Sequence, residues 1–438
     1  MQPVDSAYII AGEQSGDMIG SSIMTQIKLI NPKIKFFGLG GVAMENAGLR
    51  SIFPMNYISL MGIFEILPHI FHIRKLIRQT VDDIKSQKPD VVVTIDSPGF
   101  CYRVAKILRE EWPEVRLIHV VAPSVWVYKP GRAKKFAEVY DHLLTLLPFE
   151  PPYFQKEGLD STFIGHPVFE QEFLDHSSDL SSRSLGINKE AESALVIPAL
   201  EPESRSQKEP QSGASSCWIP DHDNAAPGLS GMTCSLCHSG GGTNPSEEKV
   251  ILVTPGSRGG EIKRHMPIFV EALNKLAKTK EFIACFLVPN EVCGLLDEYL
   301  LKADFKYIRA DSKDKLKFYA SADLALAKSG TNTLEIAASG TPMIVAYKLN
   351  FLTSLIIKLT AKVKYASLVN IIAGSEILPE FLMSRCNVDA LSNALSNMMD
   401  NPEIGKKQVR EAKKVLKTMG LGAKNTPSLL AANVIMGE

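Results

Sequence analysis

Short apolar runs of strand length alternate with helical patterns through the first 170 residues, and this alternation restricts the fold most. Unbroken runs of branched residues such as Val91–Val93 are typical of strands buried on both faces of a parallel sheet. The same alternation begins again after residue 248. We therefore predict an α/β chain of two Rossmann-like, doubly wound domains with the active site in the cleft between them.

The predicted N-terminal domain spans residues 1–190, and the C-terminal domain, which includes the terminal helices, spans residues 248–438. Within the second domain one long helix is predicted over Glu291–Leu301. The predicted strands are Ala7–Ala11, Ile34–Leu39, Asp90–Ile95, Val115–Val121, His142–Leu146, Ser161–Ile164, Val250–Thr254, Phe282–Leu287, Lys306–Arg309, Leu324–Ala327 and Pro342–Ala346.

Residues 191–247 interrupt this pattern and are rich in Ser, Pro, Gly and acidic residues. Such a composition cannot bury enough apolar surface to order itself, so we predict a disordered, low-complexity insertion. The insertion also contains potential metal ligands: Cys217, His222, Cys234, Cys237 and His238. Because a single CxxC lacks the second paired motif of a zinc site, we expect these residues to be incidental.

The overall charge is balanced, with 48 basic and 48 acidic side chains, which argues against a nucleic-acid partner. The N-terminus shows no secretory signal, and no run of about 18 apolar residues is present. We therefore predict a cytoplasmic protein without a membrane-spanning helix.

A glycine-containing turn follows the first predicted strand and leads into a helix. Gly12 and Gly16 allow the backbone to bend and approach a ligand closely. Ser15 lies between them. Glu13 and Asp17 can bind sugar hydroxyls, or they can act only on the helix dipole as acidic residues of a first turn.

Asp96 ends another predicted strand, at the edge of the sheet where doubly wound folds bind ligands. It can serve as a catalytic carboxylate, or it can cap the next helix. The sequence alone leaves both roles open.

Two turns in the second half suit a diphosphate, because each connects an apolar strand to a helix through Gly and Ser. The first is Leu252–Ile262, where Arg258 offers a counter-charge, and the second is Ala327–Lys348. The helix starts provide backbone N–H groups and a positive dipole end. We predict that a nucleotide diphosphate binds between these turns.

Together these motifs resemble the lipid-A-disaccharide synthase family, and the resemblance covers nearly the whole chain outside the insertion. The motifs, in chain order, are AGEQSGD at Ala11–Asp17, GLGGVAM at Gly38–Met44, SLMG at Ser59–Gly62, IDSPGF at Ile95–Phe100, PSVW at Pro123–Trp126, LPFE at Leu147–Glu150, IGHP at Ile164–Pro167, TPGSRGGEI at Thr254–Ile262, KSGTNTLE at Lys328–Glu335 and LVNIIAG at Leu368–Gly374.

The resemblance implies a GT-B-like fold and an inverting glycosyltransferase. That family transfers 2,3-diacylglucosamine from UDP to the 6-hydroxyl of 2,3-diacylglucosamine 1-phosphate and releases UDP. By resemblance, Asp96 is the essential residue and a candidate base, with Glu13 and Asp17 as alternatives on the acceptor side. The donor residues implied are Gly256, Ser257 and Arg258 at the diphosphate, Ser329, Gly330, Thr331 and Glu335 beside ribose and phosphate, and Asn370 near the nucleotide.

The chain departs from the family pattern at three positions. Gly99 and Cys101 stand where the family usually has Asp and Asn, and Lys328 replaces a small residue. These changes concern the surroundings of the site more than the type of reaction. No DxD pair follows a predicted strand, so we expect neither a divalent metal nor another cofactor.

The acylated substrates implied by the resemblance require contact with a membrane, which predicts a peripheral protein on the inner face of the bacterial inner membrane. Met61–Ile77 and Phe351–Lys364 each combine apolar residues with flanking cations, as interfacial helices do. Each can equally be a buried core helix. The sequence also leaves open a homo-oligomer, a UDP-sugar epimerase on the same fold, and a UDP-binding protein without catalytic activity.

Overall fold

The computed structural model describes residues 4–58, 70–127, 129–170, 248–349 and 363–438, and these form two compact α/β units. The first unit contains the described residues up to 170 together with Lys417–Glu438. The second unit contains 248–349 and 363–416. The predicted insertion at 191–247, with its cysteines and histidines, lies outside the described residues.

The first unit is a parallel sheet of six strands in the order β2-β1-β3-β4-β5-β6. Its central strands are fully buried because helices cover both faces, as the unbroken branched runs predict. An isolated parallel bridge joins Gly38 to Ser51 beside β2. The elements are β1 Ser6–Ala11, α1 Gln14–Ile30, β2 Lys35–Leu39, α2 Val42–Asn46, α3 Ile70–Gln87, β3 Val91–Ile95, α4 Pro98–Glu111, β4 Leu117–Val120, α5 Arg132–Ala137, β5 His142–Thr145, α6 Pro151–Gln155 and β6 Asp160–Phe163.

The second unit is also a six-stranded parallel sheet, in the order β12-β11-β10-β7-β8-β9. Counted within the unit this is the Rossmann order, with the first strand in the centre. The elements are β7 Lys249–Thr254, α7 Gly259–Ala277, β8 Phe282–Val288, α8 Asn290–Cys293, α9 Asp297–Leu300, β9 Lys306–Asp311, α10 Lys315–Ser321, β10 Leu324–Lys328, α11 Asn332–Ala338, β11 Met343–Tyr347, α12 Leu368–Ala373, β12 Glu380–Leu382, α13 Val388–Asp400 and α14 Pro402–Thr418.

The last helix, α15 Pro427–Met436, packs on the first unit rather than on the C-terminal half with which the sequence pattern grouped it. Ala431, Ala432 and Ile435 are fully buried and belong to the same core cluster as the inner face of α1. Arg116 at the start of β4 donates 2.7 Å hydrogen bonds to the Val434 and Ile435 carbonyls. The apolar face of α15 therefore completes the core of the first unit.

The helix predicted over Glu291–Leu301 is divided in the structure. A 3-10 turn at Gly294–Leu296 separates α8 from α9. Glycine is a weak helix former, and it stands where the helix changes geometry. Within the described ranges, no helix combines the length and the hydropathy needed to cross a bilayer.

Candidate functional site

The turn after β1 is packed so tightly that glycine is required at its start. A Cβ atom on Gly12 would lie 2.3 Å from the Ser97 hydroxyl oxygen. The next residue, Glu13, is the N-cap of α1 and is partly exposed. One turn later Gly16 packs against the end of β3, where a Cβ would lie 3.4 Å from the Ile95 carbonyl oxygen, at ordinary contact distance. The turn thus brings the start of α1 against the residues that follow β3.

Asp96 is the first residue after β3, and its backbone adopts the left-handed region with φ of 51°. Ser97 follows with φ of 43°. Two consecutive non-glycine residues in this region indicate a strained turn, which is common at functional sites. The Asp96 N–H is bonded to the Val120 carbonyl at 2.9 Å, which ties the turn to the neighbouring strand β4.

The pKa of Asp96 is raised, because burial disfavours the charged carboxylate. Hydrogen bonds from the Ser97 backbone and the Ser15 side chain oppose this effect without cancelling it. Ser15, predicted to bind substrate, therefore contacts the candidate base. A carboxylate with a raised pKa accepts a proton more readily than an exposed one, which suits a general base.

Asp17 has a structural role that the sequence pattern did not reveal. Its carboxylate accepts three backbone hydrogen bonds, from Gly41 at 2.7 Å, Ala43 at 2.9 Å and Met44 at 3.1 Å. The side chain is 4 % exposed. Asp17 thus caps α2 and holds the glycine-rich loop before it, so its oxygens are engaged within the protein and are not presented to a sugar.

Glu150 is a second buried acid of the first unit and was predicted only as part of a motif. The indole N–H of Trp126 donates to it at 3.2 Å, and the Leu147 N–H donates at 3.1 Å. Burial raises the pKa of Glu150 to about 7 despite these bonds. The PSVW and LPFE motifs are therefore joined through one carboxyl group.

The turn after β7 in the second unit also needs glycine at its bend. Gly256 has φ of 134°, and a Cβ there would lie 2.6 Å from a carboxylate oxygen of Glu261. That carboxylate accepts the Ser257 N–H at 3.2 Å. Arg258 is the N-cap of α7 and is exposed. The predicted diphosphate turn thus presents an exposed cation, while one of its N–H groups is engaged by Glu261.

Lys328 stands at the end of β10, and its ammonium group lies 2.8 Å from the Glu261 carboxylate. Both side chains are largely buried, at 16 % and 13 % exposure. Burial opposes ionisation of Glu261, but the hydrogen bond and charge of Lys328 prevail and leave its pKa lowered. From the sequence, Lys328 was only a departure from the family pattern, and Glu261 was not among the candidate site residues. The missed signal is a Glu in the first turn of α7 together with a Lys at the end of β10, the strand that pairs with β7.

The second predicted turn of this unit runs from Ser329 to the first turn of α11. The Ser329 hydroxyl donates to the Ala366 carbonyl at 3.1 Å. Thr331, the N-cap of α11, is exposed, and Gly330 lies beside the Lys328 ammonium group. These residues place the start of α11 close to the buried cation.

Glu335 is already engaged by protein side chains. It forms an ion pair with Lys315 at 2.6 Å and accepts a hydrogen bond from the Tyr319 hydroxyl at 3.2 Å. It is 6 % exposed. The carboxylate therefore anchors α11 to α10 in this structure.

Asn370, predicted to lie near the nucleotide, holds a local hydrogen-bond network in this structure. Its side-chain nitrogen donates to the Leu378 carbonyl and to Glu380, and its oxygen accepts the Ile377 and Leu378 N–H groups. These four bonds use the full capacity of the amide, and the residue is fully buried. Glu380, which sequence reasoning missed, completes this network.

Solved structures share the fold over almost the full chain. The UDP-GlcNAc 2-epimerase of Neisseria meningitidis bound to UDP-GlcNAc aligns with a TM-score of 0.54 at 12 % identity, covering 94 % of this chain and 99 % of that one. Acinetobacter baumannii MurG aligns with a TM-score of 0.51 at 12 % identity, covering 100 % of both chains. The fold is thus the predicted GT-B class. At such identities the likeness concerns the fold alone.

Sequence relatives are much closer. The family model described as lipid-A-disaccharide synthetase matches residues 7–208 and 242–434 and leaves unmatched a segment within the predicted insertion. The lipid-A-disaccharide synthase of Rickettsia bellii is 44 % identical over 435 residues, covering 98 % of both chains. That of Rickettsia prowazekii is 42 % identical over 434 residues, with the same coverage. The chain therefore belongs to the lipid-A-disaccharide synthase family.

Proposed function

We propose that this protein transfers 2,3-diacylglucosamine from UDP to the 6-hydroxyl of 2,3-diacylglucosamine 1-phosphate, forming the lipid A disaccharide 1-phosphate and UDP. The family membership supports the reaction, and the raised pKa of Asp96 at the end of β3 is the structural observation that carries the mechanism. The epimerase alternative is not favoured, because the likeness to an epimerase is one of fold at 12 % identity.

In the proposed mechanism Asp96 acts as general base. It takes the proton of the acceptor 6-hydroxyl while that oxygen forms a bond to the anomeric carbon of the donor. The bond from this carbon to the diphosphate breaks on the opposite face, which inverts the configuration. Ser15 positions the Asp96 carboxylate, and Glu13, partly exposed at the N-cap of α1, is an acceptor-side candidate.

The departing UDP gains negative charge, which the second unit is suited to stabilise. Arg258 supplies an exposed cation at the start of α7, whose dipole adds positive potential. We propose that Gly256, Ser257, Gly330 and Thr331 surround the diphosphate. Ser329 and Glu335 then act by holding the start of α11 in place, through their bonds to Ala366 and Lys315.

We also propose that the protein works as a peripheral protein on the cytoplasmic face of the inner membrane. Phe71 in the first turn of α3 is 80 % exposed, and the exposed cations Arg74 and Lys75 follow it. Leu76 and Ile77 are buried in the core, so only one face of this helix is available. Phe64 and most of Phe351–Lys364 lie outside the described residues.

Replacing Phe71 by Ser tests the membrane proposal. The exposed ring makes little contribution to the core, so the variant should stay folded but sediment less with anionic vesicles. Replacing Tyr153, which is 38 % exposed on α6, by Ser is the matched control. Equal sedimentation of Phe71→Ser and wild type would contradict the membrane role of this face.

The purified full-length chain tests the reaction itself. UDP release should require both the UDP-diacylglucosamine donor and the monosaccharide 1-phosphate acceptor, and a disaccharide should appear in equal amount. Conversion of the donor into an isomeric UDP-sugar without the acceptor and without net release of UDP would identify an epimerase. UDP binding without turnover would identify a binding protein.

A further inference from the structure

The first unit contains a groove of about 590 Å³ between α4 and α5 that the proposed mechanism leaves unused. Its floor is aromatic, because Tyr102 of α4 stacks on Phe136 of α5 with ring centres 5.5 Å apart. Its volume lies within the usual range for small-molecule sites. We call it the basic groove, after the cations that line it: Arg103, Lys129, Arg132 and Lys135.

The charge of the basic groove is one-sided. Among the described residues that line it, none is Asp or Glu. Within the described part of the chain, no ion pair engages Arg103, Arg132 or Lys135. Like charges gathered without counter-ions repel each other, and an anion bound among them relieves the repulsion.

A neighbouring groove of about 400 Å³ shows that this is not the general character of the surface. It is lined by both signs of charge, including Glu110 and Glu138. Two of its cations are paired, since Arg109 lies 2.7 Å from Asp141 and Lys106 lies 3.7 Å from Glu110, and the third, Lys135, also lines the basic groove. The absence of acids is therefore a property of the basic groove itself, as far as the described lining shows.

The basic groove also begins close to the candidate base. Pro98 and Gly99 line it, and two residues of chain reach at most about 7 Å, so Pro98 lies within that distance of Asp96. A Cβ atom on Gly99 would meet nothing within 4 Å, so the groove is open at this end.

We propose that the basic groove binds the phosphate of the acceptor, with the sugar ring against Tyr102 and the 6-hydroxyl directed to Asp96. The proposal rests on the function proposed above and specifies how the acceptor is oriented. The phosphate on C1 and the 6-hydroxyl on the substituent of C5 flank the ring oxygen, so both groups lie on one edge of the acceptor, and the groove begins on the turn that carries Asp96. Arg103 and Arg132 offer forked N–H donors to phosphate oxygens, and Lys135 adds a point charge.

Charge reversal at Arg132 and Lys135, one turn apart on α5, tests this assignment. The double variant Arg132→Glu with Lys135→Glu should raise the KM for 2,3-diacylglucosamine 1-phosphate in neutral micelles at least about 10-fold. The KM for the UDP-sugar donor should change less than about 2-fold, because only contacts to the acceptor phosphate are lost. For 2,3-diacylglucosamine, which lacks the phosphate, the double variant and wild type should have the same KM.

Lys134→Glu is the matched control, because Lys134 is exposed on the same helix and does not line the groove. It should retain the wild-type KM for both acceptors. The proposal is overturned if the double variant has the same KM values as Lys134→Glu. It is also overturned if the double variant raises the KM for the phosphorylated and the unphosphorylated acceptor equally.

Phospholipid headgroups carry the same chemistry, so vesicle binding separates the two sources of phosphate. Loss of binding to phosphatidylglycerol vesicles, with an unchanged micellar KM for the phosphorylated acceptor, would assign the groove to the membrane and overturn the proposal.

If wild type releases no UDP with either acceptor, the proposed reaction fails independently. Calorimetric binding of the phosphorylated acceptor, present in wild type and lost in the double variant, still supports the groove.

Discussion

The two α/β units use the same structural position in opposite ways. In each, the first strand leads through a glycine turn to a long helix, α1 in one unit and α7 in the other. The N-cap is the acidic Glu13 in the first unit and the cationic Arg258 in the second. A helix N-terminus attracts anions, but a carboxylate on the cap competes with a diphosphate, whereas an arginine reinforces it.

The two units also differ in the pKa values of their buried acids. Burial raises the pKa of both Asp96 and Glu150 in the first unit. In the second unit burial also opposes ionisation of Glu261, but its hydrogen bond and charge interaction with Lys328 leave its pKa lowered. This difference supports the proposal that the first unit supplies the proton-accepting carboxyl groups and the second unit binds the diphosphate of the donor.

The largest effect that the comparison predicts concerns Asp96. Asp96→Asn keeps the size of the side chain but removes the base, so kcat should fall by about 10²- to 10³-fold. Glu110→Gln, on the exposed face of α4, should leave kcat near the wild-type value, because surface pairs such as Glu110 with Lys106 are weak. Near-normal turnover of purified Asp96→Asn would exclude it as the base.

Glu150 provides a prediction on stability and pH. Between pH 4.5 and about 7 the folded protein holds the Glu150 proton while the unfolded chain has lost it. The contribution of Glu150 to the unfolding free energy therefore falls as pH rises through this window, by at most about 3 kcal/mol. Compared with Glu150→Gln, wild type should lose stability from pH 4.5 to 8 in chemical unfolding.

The exposed Glu157, close to Glu150 in the chain, offers the control. Glu157→Gln should follow the pH dependence of wild type across the same range. A constant difference between wild type and Glu150→Gln would mean that Glu150 ionises normally in the folded protein.

For Asp17 we predict an effect on the stability of the first unit. Asp17→Ala leaves three backbone N–H groups at the start of α2, those of Gly41, Ala43 and Met44, without their acceptor. We expect a loss of about 2 kcal/mol in unfolding free energy, measured by chemical denaturation. Asp5→Ala, close to the N-terminus of the same unit, should cost less. A stable Asp17→Ala variant with no activity would return Asp17 to the catalytic residues.

The smallest effect concerns Ser15, whose hydroxyl stabilises the charged form of Asp96. Ser15→Ala removes that hydrogen bond, so the pKa of Asp96 should rise further. The acidic limb of the kcat–pH profile should then move to higher pH by a fraction of a unit. Ser21→Ala, on the same helix, should leave the profile unchanged, and a matching shift there would point to a general effect on α1.

The local pattern predicted the strands well because buried parallel strands have unbroken apolar runs. Such patterns fail where an element is very short or its helix propensity is interrupted. The three-residue edge strand β12 has too few residues to show a period, and Gly294 divides a helix whose polar and apolar spacing looks continuous. The edge strand depends on its pairing with β11, whereas the division of the helix is a local effect of glycine.

The candidate site shows the same limit. Motifs identified the residues of the turns, but they did not show what each side chain contacts. Asp17 and Asn370 are engaged by backbone groups that the chain brings together only after folding. The apolar face of α15 likewise gives no indication from sequence that its partner is α1 in the other half of the chain.

The central claim is that nucleotide binding belongs to the second unit and proton transfer to the first. Calorimetric titration of UDP into wild type, Arg258→Ala and Asp96→Asn tests it most directly, with Lys263→Ala on the exposed face of α7 as the control. We predict UDP affinity reduced at least about 10-fold in Arg258→Ala alone, since that variant loses a charge-assisted contact. An equal loss in Asp96→Asn, or unchanged affinity in Arg258→Ala, would contradict this division between the two units.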